Sequence, residues 1–223
     1  MFIARIFTLY PEFFPGPLAK GLYGKALVEK IWKLETVNIR DYAEDKHKTV
    51  DDTTYGGGSG MLIKPDVLAK SLDQNIKSSE KIIYLSPKGK LFNQNLAKKL
   101  AKEKTLNLIC GHFEGVDERV INSRNIEEVS IGDFVLSGGE LAATILCDSI
   151  IRLIPGVIGD ESSALSDSFQ DDLLAPPIYT RPSNYKGWKV PDVLLSGNAS
   201  KISNWREEES FKHTQERRPD LLK

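Results

Sequence analysis

Apolar runs of strand length alternate with segments of helical spacing through the first two thirds of the chain. Residues 2–9 read as a first strand, residues 18–32 carry helix-like spacing, and residues 37–42 read as the next strand. Lys81-Ile-Ile-Tyr-Leu-Ser86 has the composition of a short buried strand, halted by Pro87 and Gly89. Asn93 is placed to cap a helix whose Leu96, Ala97, Leu100 and Ala101 share one face. Residues 106–110 give another strand, ended by Gly111; residues 116–123 give a short helix and residues 129–136 a further strand. A helix-length apolar segment, residues 141–154, follows directly. Strand–helix alternation of this kind means βαβ units: an α/β fold with a mostly parallel sheet and helices on both faces.

The pattern changes after Pro155-Gly156. Residues 159–168 are small and polar and residues 160–172 acidic; Pro176-Pro177, Pro182 and Pro191 then punctuate an extended stretch. A second helical pattern begins at Ser200, with Ile202, Trp205 and Glu209 on successive turns. These breaks predict a main domain over 1–159, a flexible linker over 160–175 and a small helical C-terminal domain over 176–223, with Trp205 and Phe211 in its core.

Composition narrows the class. Of 223 residues, 40% are hydrophobic and 27% charged, as in ordinary soluble globular proteins. No apolar run approaches the roughly 18 residues of a membrane span, and the N-terminus lacks the order of a signal peptide. Two cysteines, Cys110 and Cys147, form neither a disulfide framework nor a zinc set, so a reducing cytoplasm is expected. His47, His112 and His213 stand apart with no metal spacing and read as structural or surface groups. A net charge of −1 neither demands nor excludes a nucleic acid, and the chain from Arg181 onward is mildly basic.

Three loops with glycine or proline follow predicted strands: Ser86-Pro-Lys-Gly89, Gly111-His-Phe-Glu-Gly115 and Ser137-Gly-Gly139. In a parallel sheet such loops gather at the carboxyl edge, where open α/β sheets bind ligands. Glycine lets backbone approach a ligand closely. Together the loops suggest one pocket, although each alone also serves simply to end a strand. A fourth loop, Tyr55-Gly-Gly-Gly-Ser-Gly60, lacks the preceding buried strand of a dinucleotide fingerprint and reads as a flexible linker; no P-loop run exists. Thr144, Asp148 and Arg152 recur at every fourth position of the long helix. They read either as a solvated stripe with an Asp148–Arg152 pair or as a mount for a fixed cation near the pocket.

The chain resembles the bacterial tRNA (guanine-N1)-methyltransferases, the TrmD family of the SPOUT superfamily. Motifs in the family's order carry the resemblance: Val50-Asp-Asp, Tyr-Gly-Gly-Gly-Ser-Gly-Met, Tyr-Leu-Ser-Pro, Cys-Gly-His-Phe-Glu-Gly-Val-Asp-Glu-Arg, Ser-Ile-Gly-Asp-Phe-Val-Leu-Ser-Gly-Gly-Glu, Ile-Pro-Gly-Val, Asp-Ser-Phe, Tyr-Thr-Arg-Pro and Leu-Leu-Ser-Gly-Asn. The resemblance implies methyl transfer from S-adenosyl-L-methionine to N1 of guanosine 37 in tRNA, a trefoil-knotted SPOUT catalytic domain and a cytoplasmic homodimer. Matched motif by motif, it assigns the cofactor to Tyr84, Leu85, Ser86 and Pro87, to Gly111, Phe113 and Glu114, and to Ser130, Ile131, Gly132, Asp133, Phe134, Val135, Leu136, Gly138 and Gly139. It makes Asp167 the general base and Arg152 its partner, and it places Ser168, Tyr179 and Arg181 on the substrate side.

That pairing suits the chemistry. Guanine N1 carries a proton that a nearby carboxylate can take as the new bond forms, and charge developing toward O6 is stabilised by a fixed cation. There are departures from the family's pattern. Asp172-Leu-Leu-Ala175 stands where the family often has Gly-Leu-Leu-Asp, His112-Phe113 replaces the Arg-Tyr of some members, and the C-terminal segment is short. Two alternatives stay open at this point: a non-catalytic RNA-binding module of the same fold, and methyl transfer to another RNA position.

Overall fold

The computed structural model describes residues 1–158, 167–169 and 172–222. The chain divides into two compact units, Met1–Gly159 and Asp160–Lys223. The first is built on a five-stranded sheet with strands β1 (Phe2–Thr8), β2 (Trp32–Asn38), β5 (Lys81–Leu91), β6 (Thr105–Cys110) and β7 (Glu127–Ser130), in the order β2-β1-β6-β5-β7. Every pairing in this sheet is parallel. A separate antiparallel hairpin joins β3 (Asp51–Thr53) to β4 (Met61–Ile63).

Side chains alternate across the central strands, so each face carries its own core. Ala4, Ile6, Leu106 and Leu108 pack with Ala143, Leu146, Cys147 and Ile150 of helix α5 (Glu140–Ile151) and with Ala97 and Leu100 of α3 (Gln94–Leu100). On the other face, Phe7, Ile82 and Ile109 meet Leu68 and Leu72 of α2 (Pro65–Asn75) and Val120 and Ile121 of α4 (Glu118–Ser123). The parallel sheet with helices on both faces is therefore as the alternation predicts. Asn93 caps α3, its side chain accepting from the Leu96 N–H at 2.9 Å.

Four boundaries differ from the sequence reading. The segment expected to be helical over 18–32 contains helix α1 only over Gly21–Val28, and Trp32 already opens β2. The stop is a left-handed residue that is not glycine: Lys30 has φ 59°. The Lys30 and Ile31 N–H groups donate back to Leu27 and Ala26, closing a Schellman cap. The strand expected over 37–42 ends at Asn38, whose side chain accepts from the Arg40 N–H, and Ile39–Tyr42 form a 3-10 turn.

Strand β5 does not halt at Pro87. It continues to Leu91, and both Leu85 and Lys90 pair with Val129, so residues 86–89 leave the ladder and return to the same partner. At Gly89 a Cβ would lie 2.3 Å from the Val129 nitrogen, so only glycine fits that return. Strand β7 covers Glu127–Ser130 rather than 129–136. The Ser130 hydroxyl bonds both the N–H and the carbonyl of Gly132, whose φ is 152°, and this folds the chain out of the sheet.

The second unit holds a short hairpin, β8 (Asn184–Tyr185) with β9 (Trp188–Lys189), and helices α6 (Asp192–Leu195) and α7 (Ala199–Arg217). Asn198 caps α7 by accepting from the Lys201 N–H at 3.1 Å. Trp205 is partly buried, with its ring 6.4 Å from that of Tyr179. Phe211, expected in the core, is instead 51% exposed. Thr214 is the fully buried polar anchor: its hydroxyl accepts from the Leu174 N–H and donates to the Ser210 carbonyl. Among the described residues no helix is long and apolar enough to cross a membrane.

Candidate functional site

Strands β6 and β7 end, and β5 makes its excursion from the ladder, around a cavity of about 280 Å³, lined by residues 84–88, 111–116, 129–132 and 134–139 with Ala142. Every residue that motif matching assigned to the cofactor lines it except Asp133. The three glycine-bearing loops are thus brought together at the carboxyl edge of the sheet.

Close packing of backbone explains why glycines stand here. The Gly139 N–H donates to the Gly111 carbonyl at 3.0 Å. A Cβ on Gly139 would lie 2.6 Å from Cys110 Cα, and one on Gly111 would lie 2.8 Å from the Tyr84 hydroxyl oxygen. Tyr84 itself is 6% exposed. Burial chiefly, and then the Glu128 carboxylate, push its pKa up to about 12, against a hydrogen bond from the Val116 backbone. It is therefore a neutral phenol at any physiological pH. Phe113 holds φ 58°, a conformation that costs an aromatic residue about 1–3 kcal/mol and that clusters at functional sites.

The apolar run after β7, expected as strand, is instead an open wall of the cavity. Phe134 is 53% and Val135 85% exposed, which leaves apolar surface facing the space where a ligand would sit. The glycine-rich segment over 55–60, read as a flexible linker, proves to be the connection of the β3–β4 hairpin. Gly56, Gly57, Gly58 and Gly60 all have positive φ there. The hairpin is tied to the cavity by hydrogen bonds from the Glu114 N–H to the Met61 carbonyl and from the Ile63 N–H to the Gly115 carbonyl. A Cβ on Gly60 would strike the Glu114 side chain.

His112, read as structural or surface, lines the cavity and belongs to a buried polar chain. Its Nε2 lies 2.9 and 2.8 Å from the two carboxylate oxygens of Glu140, which is 5% exposed. The Thr8 hydroxyl, at the end of β1, donates to Glu140 Oε1 at 2.5 Å. No residue spacing announces this chain, because its members come from three separate elements.

Arg152, assigned to catalysis, is not among the residues that line this cavity. Arg152 caps the far end of α5, about 18 Å by helix rise from Glu140 at its start. Nor does a simple solvated stripe hold: Thr144 is buried and donates to the Glu140 carbonyl, while Asp148 hydrogen-bonds Tyr23. Burial first, and then this bond, raise the Tyr23 pKa to about 12.

Asp167 opens the Asp-Ser-Phe motif in the second unit. The linker expected over 160–175 is described only at 167–169 and 172–175. There the Ser168 hydroxyl accepts from the Ala175 N–H, the Phe169 N–H donates to Leu173, and the Arg218 guanidinium lies 5.9 Å from the centre of the Phe169 ring. Asp172 has φ 56°, which glycine or aspartate accommodates more readily than most residues, so its replacement of a glycine is conformationally mild. Tyr179 and Arg181 line a second cavity, of about 350 Å³, with Trp205 and Arg206; Ser168 does not.

Comparison with known proteins agrees with this geometry. The family model for tRNA (Guanine-1)-methyltransferase TrmD matches residues 2–223. A tRNA (guanine-N(1)-)-methyltransferase of Pelagibacter ubique is 62% identical over 221 residues, spanning 99% of this chain and 97% of the relative. Relatives of the same name from Bartonella henselae and Brucella canis are 53% and 51% identical over 220 residues, with 94% and 90% of their own lengths covered. A cavity at the ends of parallel strands, its glycines held in the family's own motifs, and matches along nearly the whole chain lead to one conclusion: this chain belongs to the TrmD family of tRNA (guanine-1)-methyltransferases.

Proposed function

We propose that this protein transfers a methyl group from S-adenosyl-L-methionine to N1 of guanosine 37 in tRNA, and that it works as a cytoplasmic homodimer with a trefoil knot in residues 1–159. The observation that carries the reading is the gathering of three glycine-bearing loops into one cavity, where the Cβ positions of Gly111, Gly138 and Gly139 are already filled by neighbouring atoms. Such a site presents backbone N–H and carbonyl groups at contact distance, which suits a cofactor with an adenine, a ribose and an amino-acid tail. The exposed apolar wall at Phe134 and Val135 suits its flat ring system.

When bound, S-adenosyl-L-methionine supplies an electrophilic methyl group on a cationic sulfur. The protein's own groups do the rest. Asp167 takes the proton from guanine N1 as that nitrogen begins to bond carbon. Arg152 holds the negative charge that grows on O6. The loops hold methyl carbon and nitrogen in line, and the target base leaves its stack to reach them. Ser168, Tyr179 and Arg181 contact the RNA.

Arg152 lies a helix length from its own cavity, which favours an active site completed by a second copy of the chain. Leu141 and Ile145, one turn apart on α5, are 50% and 46% exposed, and Leu22 of α1 is 49% exposed. Apolar surface of this kind favours such a pairing.

Methyl-transfer assays on unmodified tRNA test the reading, comparing guanosine 37 with a substituted base and mapping the product by mass spectrometry. Transfer confined to guanosine 37 is expected. Transfer elsewhere would identify a different RNA position, and tRNA binding without cofactor binding in calorimetry would identify a non-catalytic module. Asp167→Ala should keep cofactor binding and lose transfer; undiminished transfer would remove Asp167 as the base.

A further inference from the structure

We infer that His112 is a positioning residue for the cofactor cavity, acting through the buried carboxylate of Glu140; this rests on the cavity being the methyl-donor site. His112 belongs to the loop after β6, and Glu140 opens α5 directly behind the Ser137-Gly138-Gly139 loop. The two loops meet at one backbone hydrogen bond, Gly139 N–H to the Gly111 carbonyl. That bond alone leaves them free to pivot. The contact between His112 and Glu140 is the second tie, and two ties fix an angle as well as a distance.

Several observations point to a built clamp rather than a chance contact. Glu140 is 5% exposed, and a buried carboxylate is stable only if donors satisfy it. It has two: the imidazole N–H, which reaches both oxygens at 2.8–2.9 Å, and the Thr8 hydroxyl at 2.5 Å. Carboxylate oxygens accept, so the donor in this contact is Nε2–H. The ring is also wedged in place. A Cβ on Gly138 would lie 2.3 Å from His112 Cε1 and 2.7 Å from Glu140 Oε2. The clamp thus presses on the Cα of a cavity-lining glycine. The titratable groups facing the ring and carboxylate are Tyr10, whose ring centroid is 4.8 Å from that of His112, and Cys110. Burial first, and then the Glu140 charge, push the Cys110 thiol well above its usual range, so it adds no second negative charge beside Glu140.

His112 touches neither transferred methyl nor nucleobase in this account. Losing the clamp should therefore weaken holding of the methyl donor rather than the chemical step. His112→Leu, which keeps bulk and removes the donor, is expected to raise both the calorimetric Kd and the KM for S-adenosylmethionine about tenfold, the size of one hydrogen bond to a charged group. The effect should fall on those constants, with kcat and the KM for tRNA changed less than about twofold. His112→Arg restores a donor to Glu140 and should recover most of the affinity. Thr8→Val, which removes the other donor and leaves the ring, should raise the Kd in the same direction and serves as the test if His112→Leu does not fold. The inference is overturned if folded His112→Leu or Thr8→Val binds the methyl donor as tightly as the unaltered protein, or if the loss falls on kcat alone. Failure of the unaltered protein to bind S-adenosylmethionine overturns the functional reading and this inference with it, so the two failures are distinguishable.

Discussion

Gly139→Ala is the sharpest test of how the cavity is built. Gly139 has φ −79°, which alanine adopts without strain, so the substitution changes only the space near Cα. In that space the new methyl would lie 2.6 Å from Cys110 Cα and 3.0 Å from the Gly111 nitrogen. Carbon atoms in contact sit at about 3.5–4.0 Å, so the two loops must part by about 1 Å. That opening stretches the 3.0 Å hydrogen bond from Gly139 to Gly111 beyond useful length. One lost backbone bond costs about 1 kcal/mol and overpacking about 1–3 kcal/mol more. If about 2 kcal/mol of this falls on the bound state, affinity for S-adenosylmethionine drops about 30-fold. Titration calorimetry reads the affinity and a thermal melt reads the fold. Gly187→Ala is the control: it sits in the β8–β9 turn of the second unit with φ 93° and nothing within 4 Å, so it should lower stability without touching cofactor affinity. Methyl-donor binding by Gly139→Ala within about twofold of the unaltered protein would refute the close-packed-loop account.

Phe113→Gly should raise stability by up to about 1 kcal/mol in urea denaturation by relieving a left-handed aromatic residue, while weakening cofactor affinity; lower stability would show that the strain is not real. Arg5→Met should destabilise the protein by about 3 kcal/mol, because Arg5 bonds Glu35, Glu80 and Asn107 at 2.8–3.0 Å and is only 14% exposed in its side chain. A loss below about 1 kcal/mol would mean water replaces it. Asp73 is held below the usual carboxylate range chiefly by its hydrogen bonds from Arg124. A depressed acid contributes stability above its unfolded value, near 4, and loses it as pH falls through the lower folded value. Arg124→Ala should therefore cost under about 1 kcal/mol near neutral pH and less near pH 3; an equal loss at both would assign the effect to packing.

Much of the fold was legible because strand-length apolar runs in this chain are mostly strands. Hidden were the places where polar backbone geometry overrides side-chain pattern. Lys30 ends a helix in a left-handed turn that favours glycine, so nothing in its residue type marked the stop. Ile131, Phe134, Val135 and Leu136 are apolar yet unpaired, because the wall of a cavity uses the same side chains as a buried strand. The loops of the site were readable through their glycines. The chain from Thr8 through Glu140 to His112 was not, since each member comes from a different element and only the folded sheet brings them together. The hairpin role of residues 55–60 was missed for a related reason: its flanking strands are only three residues long and carry little periodic signal.

The excursion of β5 begins and ends opposite Val129. Because the chain leaves and rejoins the ladder at one partner, its outer span is hung like a handle from a single peg. Lengthening, shortening or rewriting it leaves the pairing on either side in phase, so the shape of the cavity can drift while the scaffold beneath stays the same. Gly89 marks where that freedom ends, at the point where the handle is fastened.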